Sequence, residues 1–265
     1  MARGSRRQWT EGVRIVATLV GFFLVWEAGT RLLRAPEYIL PAPSAIFAGM
    51  AESSSHLVAA TLFTLRPMLV GFAMAVVVGV GLALLIAFSR VVESTLYPLI
   101  VLLQIVPKIA VAPLFIIWFG FGLIPKVLLV FLLSFFPIVV GSITAFKSVD
   151  PDILDLARSS GAKPLRIFWM VQLPHALPML FAGFKVAAAL SATAAVVAEF
   201  VASDRGLGYL LLHYNGNLNT TMTFATILVL SALGLALYGI VELIERLAIP
   251  WHVSQRRTEL ELSNP

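Results

Sequence analysis

Among the ionisable side chains inside long apolar runs of this 265-residue chain are Glu27, Lys185 and Glu199, and Lys108 sits between Pro107 and Pro113. A charge in hydrocarbon is expensive and usually faces a cavity or a partner, so Lys108, Lys185 and Glu199 are candidates for a polar pathway. Lys185 and Glu199 are fourteen residues apart, which on a helix leaves them within about 40° of one face and about 21 Å apart along the axis. Each has a structural alternative. Lys185 and Lys108 could snorkel to a surface, and Glu199 could cap or pair within the following loop, with Arg205 as one partner. Glu27, near the end of the first apolar run, reads as interfacial. The rest of the inventory excludes much. There is no cysteine, hence no thiolate metal site or thiol nucleophile. His56, His175, His213 and His252 are isolated, and no carboxylate pair or nucleophile cluster suggests an enzyme inside the bilayer. No glycine-rich loop ends in Gly-Lys-Ser/Thr, so the chain lacks that device for holding ATP phosphates.

The elements that must position these groups are membrane helices. The chain is 59% hydrophobic and 12% charged, with mean hydropathy +0.94, which excludes a water-soluble enzyme. Apolar runs at Val13–Leu33, Leu65–Phe88, Leu96–Phe119, Ile124–Phe146, Ala176–Val201 and Thr223–Ile249 give six candidate spans, each able to cross ~30 Å of hydrocarbon as a helix. Barrel alternation is absent, so the expectation is an all-α integral membrane protein. The formal charge of +5 comes from cations beside apolar runs, pointing to topology and not to nucleic acid. With a cytoplasmic N terminus, twelve Lys and Arg fall in inner segments and four in outer ones, which predicts both termini inside. The divisions are a basic segment 1–12, a membrane domain 13–250 and a tail 251–265. The first run is long and contains Glu27, favouring a retained helix over a cleaved signal.

Pro98, Pro107 and Pro113 predict a break at Ile105–Ala112 in the third span, lined by protein or a cavity, or else a kink that only shapes packing. Small residues recur every four positions at Gly71, Ala75, Gly79, Ala83 and Ala87, and at Gly183, Ala187, Ser191 and Ala195. Such stripes are helix contact faces, within one chain or across a dimer. The segment 203–221, with Gly206, Gly208, Asn215, Gly216, Asn217 and Asn219, reads as a turn-rich outer loop.

Between spans four and five, 150–175 predicts two short helices. Asp150 caps the first, Pro151 opens it, and Gly161 ends it. Pro164 opens the second, whose apolar face holds Leu165, Phe168, Trp169 and Gln172. From the residues alone this is a docking surface or an interfacial helix pair without a partner.

Here the sequence resembles a family. Asp155-Leu156-Ala157, three residues, Gly161, nine residues, Val171, one residue, Leu173-Pro174 is similar to the EAA signature of permease subunits from bacterial ATP-binding-cassette importers. Asp155 stands for Glu, Leu156 for the first Ala and Val171 for Ile. Ile105-Val-Pro-Lys-Ile-Ala-Val-Ala-Pro-Leu-Phe-Ile-Ile-Trp-Phe-Gly120, Glu199-Phe-Val-Ala-Ser-Asp-Arg-Gly-Leu-Gly-Tyr-Leu210 and Leu40-Pro-Ala-Pro-Ser44 resemble the branch importing nitrate, sulfonates and taurine. The resemblance covers 41–250. It implies a type I importer permease fold of about six transmembrane helices in the bacterial inner membrane, with a cytoplasmic coupling helix between spans four and five. It also implies a second permease copy, two ATPase subunits that bind ATP and Mg, an extracytoplasmic solute-binding protein, and coupling through Asp155, Ala157, Gly161, Leu173 and Pro174. The expected solute is a small anion, a heterocyclic vitamin or precursor being the alternative. A secondary transporter would need midplane carboxylates and an inverted repeat, and the sequence displays neither.

Overall fold

Proline and glycine placement divides the described residues of the computed structural model, 2–250, into eleven α-helices with no strand among them. Of 2–13, 15 and 202 only the backbone is described, and the tail expected at 251–265 lies outside the described residues. In chain order the helices are α1 Ala2–Leu32, α2 Pro43–Glu52, α3 Ser54–Phe88, α4 Arg90–Ile105, α5 Ala112–Phe119, α6 Leu123–Lys147, α7 Pro151–Ser159, α8 Pro164–Ile167, α9 Leu173–Ala202, α10 Leu207–Gly216 and α11 Thr220–Ala248. Helices α3, α6, α9 and α11 are long and apolar enough to cross a bilayer, and α4 with α5 forms a broken fifth span bent by 86°. All of the first apolar run but Leu33 lies within α1.

The break falls where the prolines put it. Val106 and Pro107 are extended, a single 3₁₀ turn covers Lys108–Val111, and α5 opens with Pro113 in its first turn. Pro98 is absorbed inside α4. Segment 150–161 also follows its local chemistry. The Asp150 carboxylate accepts the Asp152 N–H at 2.9 Å, and Gly161 takes φ +77°. Gly161 N–H then reaches Arg158 O and Ala162 N–H reaches Ala157 O, closing the α7 C terminus as a Schellman motif. Beyond Pro164 the helical path has no gap: a π turn over Phe168–Gln172 leads into α9. Pro174 lacks an N–H and would clash with the carbonyl four residues back, and the wider turn just ahead of it relieves that crowding.

Two compact units make up the described residues, 2–60 with 210–229, and 61–209 with 230–250. In the first, Ile46, Leu57, Met222 and Ala225 form a core edged by Trp26 and Phe224. Glu27 caps α2 from α1: its carboxylate accepts the Ser44 N–H at 3.0 Å and the Ser44 hydroxyl at 2.7 Å, and Arg31 donates to it at 2.7 Å. The Pro43-Ser44 start of α2 thus has a remote anion at its positive end.

In the second unit, α6 and α9 pack most extensively, and both small-residue stripes find their contacts within the chain. A Cβ on Gly71 would lie 2.6 Å from Val130 Cβ, and one on Gly79 2.8 Å from Ile138 Cγ2. Gly183 faces Gly141, and Ala75, Ala83, Ala187, Ser191 and Ala195 are buried. Ala87 is exposed. Close backbone approach lets dispersion hold helices together where lipid offers no hydrophobic drive.

The loop expected at 203–221 is a correction. Gly206, at φ +105°, turns the chain, and 207–216 is helix α10. The glycines read as loop markers serve the turn before this helix and its close approach to α9, while the Tyr-Leu-Leu-Leu between them has ample helix propensity.

Candidate functional site

Segment 150–172 presents an apolar surface and is anchored by an aromatic. On α7, Ile153 and Leu156 lie three residues apart on one face, and Leu156 is 69% exposed. Leu165, Trp169 and Met170 extend the exposed apolar surface, Trp169 at 60%. Asp155 is exposed and paired with Arg158 at 2.8 Å; Ala157, Leu173 and Pro174 are half-buried. The face expected on the second helix is split. Phe168 turns inward with Ile167, while Leu165 and Trp169 turn out. The Phe168 ring meets Phe88 of α3 at 5.1 Å and Phe146 of α6 at 6.0 Å, edge-on and tilted. Lys147, at the end of α6, pairs with Glu93 of α4. The segment is therefore fastened to the ends of long helices by one buried ring and presents apolar side chains elsewhere.

Lys108, Lys185 and Glu199 are not brought together, each having its own partners. Lys108 Nζ donates to Gln104 O at 2.8 Å and stands 4.6 Å from the Phe136 ring centroid. It thereby satisfies a carbonyl freed at the break and borrows the ring's negative face. Lys108→Ala is expected to lower transport severalfold while assembly with the ATPase is unchanged, measured as uptake and copurification; wild-type uptake contradicts it.

Lys185 makes a buried ion pair with Glu245 of α11, the two side chains 11% and 5% exposed. Its ammonium also lies 5.8 Å from the Tyr238 ring. The structure thus gives Lys185 an ion-pair partner on another span. Hydropathy does not mark Glu245 in the last apolar run; the signal for it is Lys185, a cation inside an apolar helix that calls for a counter-charge.

Glu199 is fully buried, and its Oε2 accepts the Gly208 N–H at 2.7 Å, holding the start of α10. A Cβ on Gly206 would overlap this carboxylate, and one on Gly208 would lie 2.8 Å from Val196 O, so the Gly-Leu-Gly spacing serves this fit. The suggested partner Arg205 faces Asp204 instead, at 3.7 Å. The Thr64 hydroxyl accepts the Leu207 N–H at 2.9 Å and lies against the same carboxylate. Lys126, near the start of α6, is 4% exposed and donates to Ser203 Oγ at 2.6 Å. Among the described residues no three His, Asp or Glu side chains gather as metal ligands.

Comparison with known proteins gives this geometry a setting. Residues 75–249 match the family described as binding-protein-dependent transport system inner membrane component. The riboflavin transport system permease protein RibX of Chloroflexus aurantiacus is 38% identical over 252 residues, 94% of this chain and 93% of its own. The taurine transport system permease protein TauC of Escherichia coli is 34% identical over 187 residues, 71% of this chain and 68% of its own. Among solved structures, a chain of the MetNI methionine ABC transporter in an inward-facing conformation superposes with TM-score 0.62 at 19% identity, covering 74% of this chain and 97% of that one.

Proposed function

The chain belongs to the family of binding-protein-dependent transport system inner membrane components, and from that premise we propose that it forms, with a second permease copy, the path of an importer for a small anion of the sulfonate, taurine or nitrate kind. As a permease subunit it works with an ATPase. ATP and Mg are bound by two copies of that ATPase, docked on 150–172, and an extracytoplasmic binding protein delivers the solute. Both termini and the coupling segment face the cytoplasm.

One arrangement supports the coupling role: an exposed apolar face on α7 and the π turn, joined to α3 and α6 through the buried Phe168 ring. Closing of the ATPase pair draws two such segments together, and Phe168 passes the displacement into the long helices. Asp155, Ala157 and Gly161 shape the first turn of the contact, while Leu173 and Pro174 set its connection to α9. Lys108, Lys185 and Glu199 hold the frame of the path, at the broken span, between α9 and α11, and at the α9–α10 junction.

Gly161→Trp tests the docking. The position has φ +77°, which costs an L-residue about 1–2 kcal/mol, and the indole adds bulk at the turn. The variant is expected to insert normally yet lose most ATPase copurification; a normal complex with normal transport contradicts the docking role.

A heterocyclic solute is the second reading, favoured by the 38% identity to a riboflavin permease. Identifying the ligand of the binding protein separates the two.

A further inference from the structure

At the end of α9 remote from the coupling segment, a cavity of about 590 Å³ opens among α3, the α5–α6 linker, the start of α6 and the α9–α10 turn. Small-molecule sites occupy ~300–1,000 Å³. Its walls are apolar and partly aromatic, from Phe63, Pro67, Phe121 and Leu123, and its charged lining is Arg66, Lys126 and Asp204.

These charges are not equivalent. Lys126 is fixed in the wall by its bond to Ser203 Oγ and its position 5.1 Å over the Phe63 ring, and both Glu199 and Asp204 are near enough to offset it. Asp204 has Arg205 at 3.7 Å. The Arg66 side chain is exposed on α3 and has no hydrogen bond or ion pair among the described residues. A guanidinium without a partner at the wall of such a cavity is open to an anion, and its planar fork pairs two oxygens of a sulfonate or carboxylate at once. The rings beside it offer an apolar body somewhere to rest.

We propose that this cavity is a binding site for a small organic monoanion, its sulfonate or carboxylate on Arg66 and its apolar part against Phe63 and Phe121. It rests on the reading of the solute as an anion and gives that reading a place. The same chemistry could be met by the phosphate of an anionic lipid, so the test separates the two sources.

The 265-residue chain in phosphatidylcholine nanodiscs is titrated with benzenesulfonate and with its neutral isostere benzenesulfonamide. The sulfonate is expected to bind saturably and the sulfonamide roughly tenfold more weakly, ~1.4 kcal/mol. Arg66→Gln is expected to lose about the same factor for the sulfonate only, and Arg66→Lys, keeping the charge without the fork, to fall between. Both variants are checked for monodispersity and for copurification with the ATPase. Equal affinity for the two ligands, wild-type affinity in Arg66→Gln, or no binding in these discs overturns the proposal. So does Arg66-dependent retention of phosphatidylglycerol through purification without sulfonate binding, which assigns the cation to lipid. ATPase copurification and ATP-driven uptake by the whole complex are scored separately, so an empty cavity is distinguishable from failure of the importer reading.

Discussion

Replacing Phe168 by alanine is expected to leave the ATPase bound and hydrolysing while uptake falls about tenfold or more. The ring is buried against Phe88 and Phe146, whereas the exposed apolar side chains are Ile153, Leu156, Leu165 and Trp169. Truncating a buried Phe removes about 3–5 kcal/mol of contacts. If only ~1.4 kcal/mol of that is drawn from the step that transmits the push, the rate of that step falls tenfold. Phe168→Leu keeps most of the volume and is expected to retain most uptake. The measurement is uptake per ATP hydrolysed in proteoliposomes. An unchanged ratio in Phe168→Ala contradicts transmission through this ring.

The second large effect is expected at the Lys185–Glu245 pair. Both side chains are little exposed, so Lys185→Met removes the cation that faces the Glu245 carboxylate between α9 and α11, at a cost of about 3–5 kcal/mol. Thermal unfolding in detergent is expected to shift sharply downward, with uptake reduced in step. Lys185→Met combined with Glu245→Gln removes both charges and is expected to recover most of the stability and most of the uptake, since neighbouring groups of this kind are strongly non-additive. Recovery of stability without uptake would show that Lys185 meets the solute and contradict its assignment to the frame.

What could be read in the sequence was what is local. Hydropathy located the apolar runs now inside α1, α3, α6, α9 and α11. Pro107 and Pro113 located the break, because a missing N–H and a ring clash act on their own turn. Asp150 and Gly161 located both ends of α7, because caps act within a few residues. What could not be read was pairing across the chain. Glu27 caps a helix seventeen residues on; Lys126 finds Ser203 seventy-seven residues away; Lys185 finds Glu245 on another span. No periodicity encodes such partners. Helix α10 was hidden for a related reason. Gly206 and Gly208 signal a turn, and only the buried Glu199 beside them shows that the turn's purpose is to start a helix.

The central claim is that this subunit is a passive path, worked by an ATPase through 150–172. Its most direct test is solute accumulation in liposomes holding the purified chain alone, or the chain with its ATPase, binding protein and ATP. Uphill accumulation only in the complete set is the predicted result. Uphill accumulation by the chain alone would contradict it.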